Sequence, residues 1–419
     1  MKTFIGQYDL RHPVQHLWGI TGYQHAFILV RDGGRPLDVL YLPVRPNQVA
    51  LSRQELEQEL EHRLGIAPAF VPALPQTLDR ENGLRMPPIS VVVCTRDRAP
   101  SLARCLASLN ALDYERFEVI VVDNASRDRS TAEVVAKTPF GYVREERPGL
   151  DWARNRGAAE ARHDIIAYTD DDVRVDPQWL RGVAHAFASP QTTAMTGLVL
   201  PGELETRAQH LFQVYSRGMS KGTKAKQFNG AAMSARDRIT THFLGVGANM
   251  AFRRSALLRL GGFDTALDVG TPSAGGGDLD MFHRVLMAGG AIRYEPRALV
   301  WHYDRRTMEG LRQQLYNNGR AFGVYLVKCW RTGQVGRRHV ADYAFGIWGR
   351  WLVGRVVLKL LCRHRLPLRL LWAELWGALH APSAYVATYR HDRQLRQTCA
   401  ELTPFAPATS ARRQDPVAP

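Results

Sequence analysis

An α/β architecture is what this sequence predicts: a mostly parallel sheet flanked by helices, with a small N-terminal α+β unit before it and a basic helical C-terminal extension after it. Three observations lead there. Strand-length apolar runs alternate with helix-length segments between residues 89 and 170, the pattern of right-handed β-α-β crossovers. The first of these runs, Ile89-Ser90-Val91-Val92-Val93-Cys94, is almost continuously apolar, as a strand covered on both faces is. From Thr307 onward the chain turns helical and basic, with nine Lys or Arg against one acid, Asp342, over residues 331–369.

The elements follow in order. Ala26–Val30 and Leu37–Leu42 read as strands, with a hairpin turn at Asp32-Gly33-Gly34. Ser52 opens a helix, and Glu55 three residues on completes a capping box. Residues 1–66 thus form the small unit, and a Pro-rich linker covers 67–87. Residues 88–305 are expected to form the catalytic unit. It starts with the strand at Ile89, a helix over Ser101–Ala111 and a strand over Phe117–Val122. A helix over Asp128–Lys137 and a short strand at Gly141-Tyr142-Val143 come next. The last pair is a helix over Asp151–Arg162 and a strand over Ile165–Thr169. After residue 190 the alternation turns irregular: a mixed apolar segment from Leu244 to Phe252, short helices at Ser255–Leu260 and Asp278–Ala288, and a strand over Ala298–His302. Residues 306–403 form the helical extension, and the tail 404–419 is expected to be disordered.

Each early strand ends in polar residues: Thr95-Arg96-Asp97-Arg98, Asp123-Asn124-Ala125-Ser126 and Asp170-Asp171-Asp172. In open α/β sheets ligands bind beyond the carboxyl ends of the strands, so the three tips are expected to line one crevice. Three adjacent carboxylates repel one another, by roughly 4 kcal/mol per pair about 4 Å apart at an effective dielectric of 20. A chain keeps them at the tip of a buried strand when a cation neutralises them. Alternation along a strand turns Asp170 and Asp172 one way and Asp171 the other. One or two carboxylates with a phosphate completing the shell suit a divalent metal. The plainer reading, a cluster that caps the next helix, is already served by Asp176 with Pro177 behind it.

Net charge is +15, from 55 Lys and Arg against 40 Asp and Glu, which favours an anionic partner. Nucleic acid is not expected, since no helix-turn-helix, finger or aromatic RNA motif accompanies the charge. The five cysteines are scattered, with neither zinc spacing nor a disulfide framework, so a cytoplasmic location is expected. No signal-peptide core is present, and the most apolar late window, Val340–Cys362, is cut by Arg350, Arg355 and Lys359, against a membrane span. Arg355, Lys359 and Arg363 read instead as a basic helical stripe opposite Trp and Leu, the pattern of a peripheral anchor on an anionic membrane surface. An ordinary amphipathic helix is the plainer reading.

Taken together, five segments resemble glycosyltransferase family 2. They are Val91–Arg98, Val121–Ser126, Asp170-Asp171-Asp172, Gly247–Arg254 with Gly261-Gly262-Phe263-Asp264, and Gly277–Arg284. The resemblance implies a GT-A fold and inverting transfer from a nucleotide-sugar donor, commonly a UDP-sugar, to a hydroxyl on a glycan or lipid-linked acceptor, as in cell-surface polysaccharide or glycolipid synthesis. It implies a divalent cation, Mn2+ or Mg2+, at Asp170, Asp172 and His302, and donor contacts from Thr95, Asp97, Asp123, Asp170 and Asp171. Asp278 is implied as the general base. For each residue a structural role competes: a turn for Asp123, an N-cap for Asp278, a satisfied core histidine for His302. The family usually carries Glu-Asp where this chain has Gly277-Asp278. The Gln-x-x-Arg-Trp motif of processive synthases is absent, because Ile347 precedes Arg350-Trp351, so transfer of single residues is expected. Two rivals stay open: a nucleotidyltransferase, which would want a glycine in the Thr95–Pro100 turn, and a catalytically inactive membrane-associated scaffold.

Overall fold

The computed structural model describes residues 2–64, 86–216 and 219–399. Apart from residues 86 and 87, the expected linker lies outside the described residues, as does the expected tail from residue 404.

The N-terminal segment holds β1 (Thr3–Asp9), β2 (His16–Trp18), β3 (His25–Asp32), β4 (Arg35–Pro43), β5 (Ala50–Ser52) and α1 (Arg53–Leu64). The β3–β4 hairpin turns at Gly33, as its sequence dictates, and β1 joins β3 in parallel. The capping box at α1 is present in both directions. Ser52 N–H donates to Glu55 Oε2 at 2.9 Å, and Glu55 N–H donates to Ser52 Oγ at 3.2 Å.

The main sheet is built from β6 (Ile89–Thr95), β7 (Phe117–Asn124), β8 (Gly141–Glu145), β9 (Ile165–Asp170), β10 (Val173–Val175), β11 (Thr192–Pro201), β12 (Lys226–Asn229), β13 (Asn249–Arg253) and β14 (Ala291–His302). Between them run α2 (Ala99–Asn110), α3 (Ser130–Val135), α4 (Leu150–Glu160), α5 (Trp179–Ala186), α6 (Arg207–Ser216), α7 (Arg254–Arg259) and α8 (Gly277–Met287). The strand order is β10-β14-β11-β13-β9-β6-β7-β8, with β12 on β14. β6, β7, β8 and β9 are mutually parallel, and β11 pairs in parallel with β14, while β10, β12 and β13 run against their neighbours. This is the predicted mixed α/β class with a mostly parallel sheet. Alternate side chains cover its two faces. Val91, Val93 and Val121 meet Leu102 and Leu106 of α2 and Trp179 and Val183 of α5. Val92, Ile120 and Val122 meet Ala153 of α4 and Met281, Phe282 and Val285 of α8.

The expected helix cap needs correction. The helix after the aspartates starts at Trp179, and its cap residue is Gln178; Asp176 does not cap it. Its carboxylate takes Gln178 N–H at 3.1 Å and a two-pronged contact from Arg31 of β3, 2.6 and 3.1 Å, in a buried ion pair. Around this pair Leu29 shares a core with Leu198, Leu200, Leu299 and Trp301, so the N-terminal sheet packs directly on β11 and β14. Trp301 is fully buried there.

The C-terminal helices are α9 (Met308–Thr332), α10 (Arg337–Ala341), a π-helical segment Asp342–Gly349, α11 (Arg350–Leu360), α12 (Leu368–Leu379) and α13 (Ala381–Thr398). α9 and α12 cross at two glycines. A Cβ on Gly319 would stand 2.0 Å from the Glu374 carbonyl, and one on Gly377 2.0 Å from that of Tyr316. The expected basic stripe does not face solvent as a unit: Arg355 is buried, paired with Glu374, and only Arg363 of the three is exposed. A single long register misled here, because α12 packs against the side of α11 that carries Arg355. Among the described residues no helix is long and apolar enough to cross a membrane.

Candidate active site

Parallel register brings the strand tips level. Thr95 lies beside Asp123, and Cys94 beside Asp170. A cavity of about 890 Å³ opens there, lined by Thr95, Arg96, Arg98, the three aspartates, His302, the 268–276 loop and Asp278.

Asp170, Asp172 and His302 offer ligand atoms that all lie within 4.8 Å of one another. His302 Nε2 is 3.2 Å from Asp172 Oδ1, and its Nδ1 is 2.9 Å from Asp304 Oδ1. A carboxylate behind a histidine fixes its ring and tautomer, as at many metal centres. Asp304 was passed over in the sequence, although its i+2 spacing from His302 at a strand end is a readable signal. The charges are crowded. Burial, then repulsion by Asp172, lifts Asp170 to about 6. Burial, with Asp172 and Asp170 adding to it, lifts Asp171 to about 7. Asp172 is also buried, yet His302 and Arg98 together hold it below the ordinary carboxylate range. Two hard carboxylates and an imidazole on one side of an anion-rich pocket fit a divalent cation.

Asp171 and Asp172 lie in the turn after β9, so the expected alternation does not carry past Asp170, and all three aspartates line the cavity; Asp171 stands outside the cluster of Asp170, Asp172 and His302. It takes the Thr95 hydroxyl at 2.6 Å and Arg98 Nη1 at 2.7 Å, while Arg98 Nη2 reaches Asp172 at 2.7 Å. Arg98, singled out only weakly by sequence, thus bridges two of the three aspartates. Asp97 and Asp123 do not line the cavity. Asp97, with φ of 54°, takes the amide and side chain of Arg127 at 2.8 and 2.9 Å. Asp123 is fully buried and takes Ser126 N–H at 3.1 Å, Tyr142 Oη–H at 2.8 Å and Arg144 at 3.3 Å.

Asp278 sits in the first turn of α8 and lines the cavity. Its Oδ2 accepts Gly247 N–H at 2.8 Å, and its Oδ1 accepts Leu279 N–H at 2.8 Å. Gly247 opens one of the five segments that carry the family resemblance. A helix N-terminus favours the ionised form of a carboxylate. Burial outweighs it, with repulsion from Asp268 in support, so this carboxyl lies above the usual range despite the two amides. A carboxylate tuned upward is the better proton acceptor near neutral pH. Asp280, one turn before Arg284 on α8, accepts a hydrogen bond from its Nε at 2.8 Å.

The absent glutamate has a structural explanation. A Cβ on Gly277 would fall 2.0 Å from Asp151 Oδ2 and 2.6 Å from its Cγ. The buried Asp151 carboxyl, from the first turn of α4, fills the space a side chain at 277 would need. Arg154 bonds Asp151 at 2.8 Å and Asp268 at 2.6 Å, which ties α4 to the start of the glycine loop. Asp151 and Asp268 were not foreseen as site residues; their contacts join segments 114 residues apart, beyond any local signal.

Residues 90–261 match the sequence model of Glycosyl transferase family 2. Glycosyltransferase AglE of Haloferax volcanii is 25% identical over 273 residues, which cover 63% of this chain and 80% of AglE. Succinoglycan biosynthesis protein ExoM of Rhizobium meliloti is 29% identical over 273 residues, 63% of this chain and 78% of ExoM. Among solved structures, a mannosyltransferase of Pyrobaculum calidifontis in complex with GDP-Man and Mn2+ aligns over 76% of each chain, at a TM-score of 0.43 and 19% identity. This chain is a glycosyltransferase, and its residues 90–261 form a family 2 domain.

Proposed function

We propose that the chain transfers one sugar at a time, with inversion, from a nucleotide-sugar donor to a hydroxyl acceptor. The observation that carries this reading is that a single cavity holds Asp170, Asp172 and His302 together with Asp278. Asp170, Asp172 and His302 would hold a divalent cation, which supplies charge neutralisation to a departing diphosphate. Arg96, which lines the cavity, and Arg98 add positive charge on the same side. Thr95 and Arg98 hold Asp171 toward the donor, while Asp97 and Asp123 act one layer back by fixing the turns that follow β6 and β7. Asp278 takes the proton of the attacking hydroxyl. The UDP nucleotide is favoured by the family resemblance alone.

A nucleotide-release assay with Mn2+ and a panel of nucleotide sugars tests the donor side. Asp170→Ala and Asp172→Ala are each expected to lower metal-dependent turnover at least about 100-fold, from lost stabilisation of leaving-group charge of several kcal/mol. Variants that bind donor with undiminished metal dependence would remove the cation from these residues.

The C-terminal helices are the proposed contact with an anionic membrane surface at its cytoplasmic face. Val353, Val357, Leu360, Trp372, Trp376 and Leu379 are exposed apolar side chains on α11 and α12, and Arg350, Arg363, Arg365 and Arg369 are exposed near them. The protein is expected to float with anionic liposomes at low salt and to be released as salt rises and the Debye length shrinks below about 10 Å. Failure to float at low salt ends this assignment.

A further inference from the structure

The cavity does not stop at Asp278. It continues beneath the C-terminal helices, where its walls are Phe212, Phe243, Phe322, Trp348 and Trp351. These rings are fixed in place. Trp348 meets Phe322 edge to face at 5.0 Å between centroids. The Arg355 guanidinium lies 3.5 Å from the Trp351 ring centroid and is itself held by the buried Glu374, which also accepts the Tyr215 hydroxyl at 2.7 Å. A buried ion pair contributes little net stability; here its geometric effect is to set the angle of one aromatic wall. Two of the rings stand open to water, Phe243 at 61% and Trp351 at 46% exposure. Both therefore mark the cavity's edge, and Trp351 lies on α11, the helix whose outer side shows Val353, Val357 and Leu360.

Polar side chains also reach this part of the cavity, Lys221, His242, Gln314, Asn318 and Glu374 among them; Glu374 is engaged by Arg355 and Tyr215, and the His242 ring packs against Phe243 and Phe322. A few polar groups suit the orientation of a head, and the run of rings opening toward the apolar outer side of α11 suits hydrocarbon. We propose that the acceptor is an amphiphile whose hydroxyl-bearing head reaches Asp278 while its apolar body lies along the wall formed by Phe243, Phe322, Trp348 and Trp351, entering from the side of α11. This rests on Asp278 marking the acceptor end of the site and names the substrate class that end receives.

The full-length protein would be titrated with glucose and with butyl, octyl and dodecyl β-glucosides below their micelle concentrations, followed by calorimetry and tryptophan fluorescence. Affinity is expected to rise with chain length by about two- to fourfold per methylene, from the transfer free energy of a buried CH₂, with no measurable binding of glucose. Trp348→Ala/Trp351→Ala is expected to lose at least tenfold in dodecyl glucoside affinity, and Trp351→Phe to keep most of it. Affinity independent of chain length overturns the proposal. So does dodecyl glucoside binding undiminished in the double variant, or an oligosaccharide that binds as tightly as the alkyl glucoside. Donor binding is measured in parallel by thermal shift with nucleotide sugars. Wild type that binds alkyl glucosides but no donor would count against the transferase site, while donor binding without chain-length dependence would count against the amphiphile alone.

Discussion

Asp278→Asn is expected to lower kcat by about 10²- to 10⁴-fold, the usual worth of a positioned general base, with donor affinity nearly unchanged. Asparagine keeps the shape, but its single oxygen can accept only one of the two amides, Gly247 or Leu279, that Asp278 takes on separate oxygens, so an unfolding midpoint measured alongside separates any loosening of α8 from the loss of the base. The pH profile gives an independent reading. Burial and Asp268 raise the Asp278 pKa, and a base works only when ionised. Wild-type kcat/KM is therefore expected to fall as pH drops through a value above the ordinary aspartate pKa of about 3.9. If nucleotide release and sugar transfer are equal in wild type and Asp278→Asn, the base lies elsewhere.

Restoring a side chain at position 277 is expected to damage the protein rather than improve it. The new Cβ of Gly277→Ala would stand 2.0 Å from Asp151 Oδ2, well inside contact distance and against a fully buried group. Either α8 shifts or Asp151 leaves its place beside Arg154. Overpacking costs about 1–3 kcal/mol, and breaking a buried ion pair costs roughly 3–5 kcal/mol, so a loss of about 3 kcal/mol in unfolding free energy is expected. Gly277→Glu is expected to lose at least as much. Asp151→Ala clears the space, and the double variant Asp151→Ala/Gly277→Ala is expected to be more stable than the sum of the single losses by about 1 kcal/mol or more, the coupling of residues in contact. Unfolding of Gly277→Ala at the wild-type midpoint would show that Asp151 yields freely.

The parts of this site written in short sequence windows were legible in the sequence, and the parts assembled across the fold were not. Asp170, Asp171 and Asp172 are adjacent at one strand end, so the cluster itself is local, but β9 stops at Asp170 and the alternation expected from a strand does not extend to Asp171 and Asp172, which share Arg98. Gly277-Asp278 at a helix start was equally local. Asp97 and Asp123 show the opposite case. Their positions at strand tips were read correctly, but Arg127, Tyr142, Ser126 and Arg144 take up their oxygens, and no local pattern names such partners. β11 escaped notice because it is buried on both faces and so shows no alternation, and because its neighbours in the sheet, β13 and β14, come much later in the chain. Arg355 was misread for a related reason: helical spacing gives a side chain's direction around its own axis but not which neighbour will cover that side.

The pairing of Arg31 with Asp176, and of Leu29 with Leu299, has a consequence for the order of events during synthesis. Leu29 and Arg31 are made early, whereas Leu299 leaves the ribosome 270 residues after Leu29. At about 5–20 residues per second the hairpin waits roughly 15–50 s for its apolar face to be covered. Through that interval Arg31 and the apolar side chains of Ile5, Phe27, Leu29 and Val39 stay open to other nascent chains, and the sheet that will shelter them does not yet exist. The strands β1, β3 and β4, translated well before β11 and β14, therefore reach their final place only after β14 is made, and the growing chain needs protection there in the meantime.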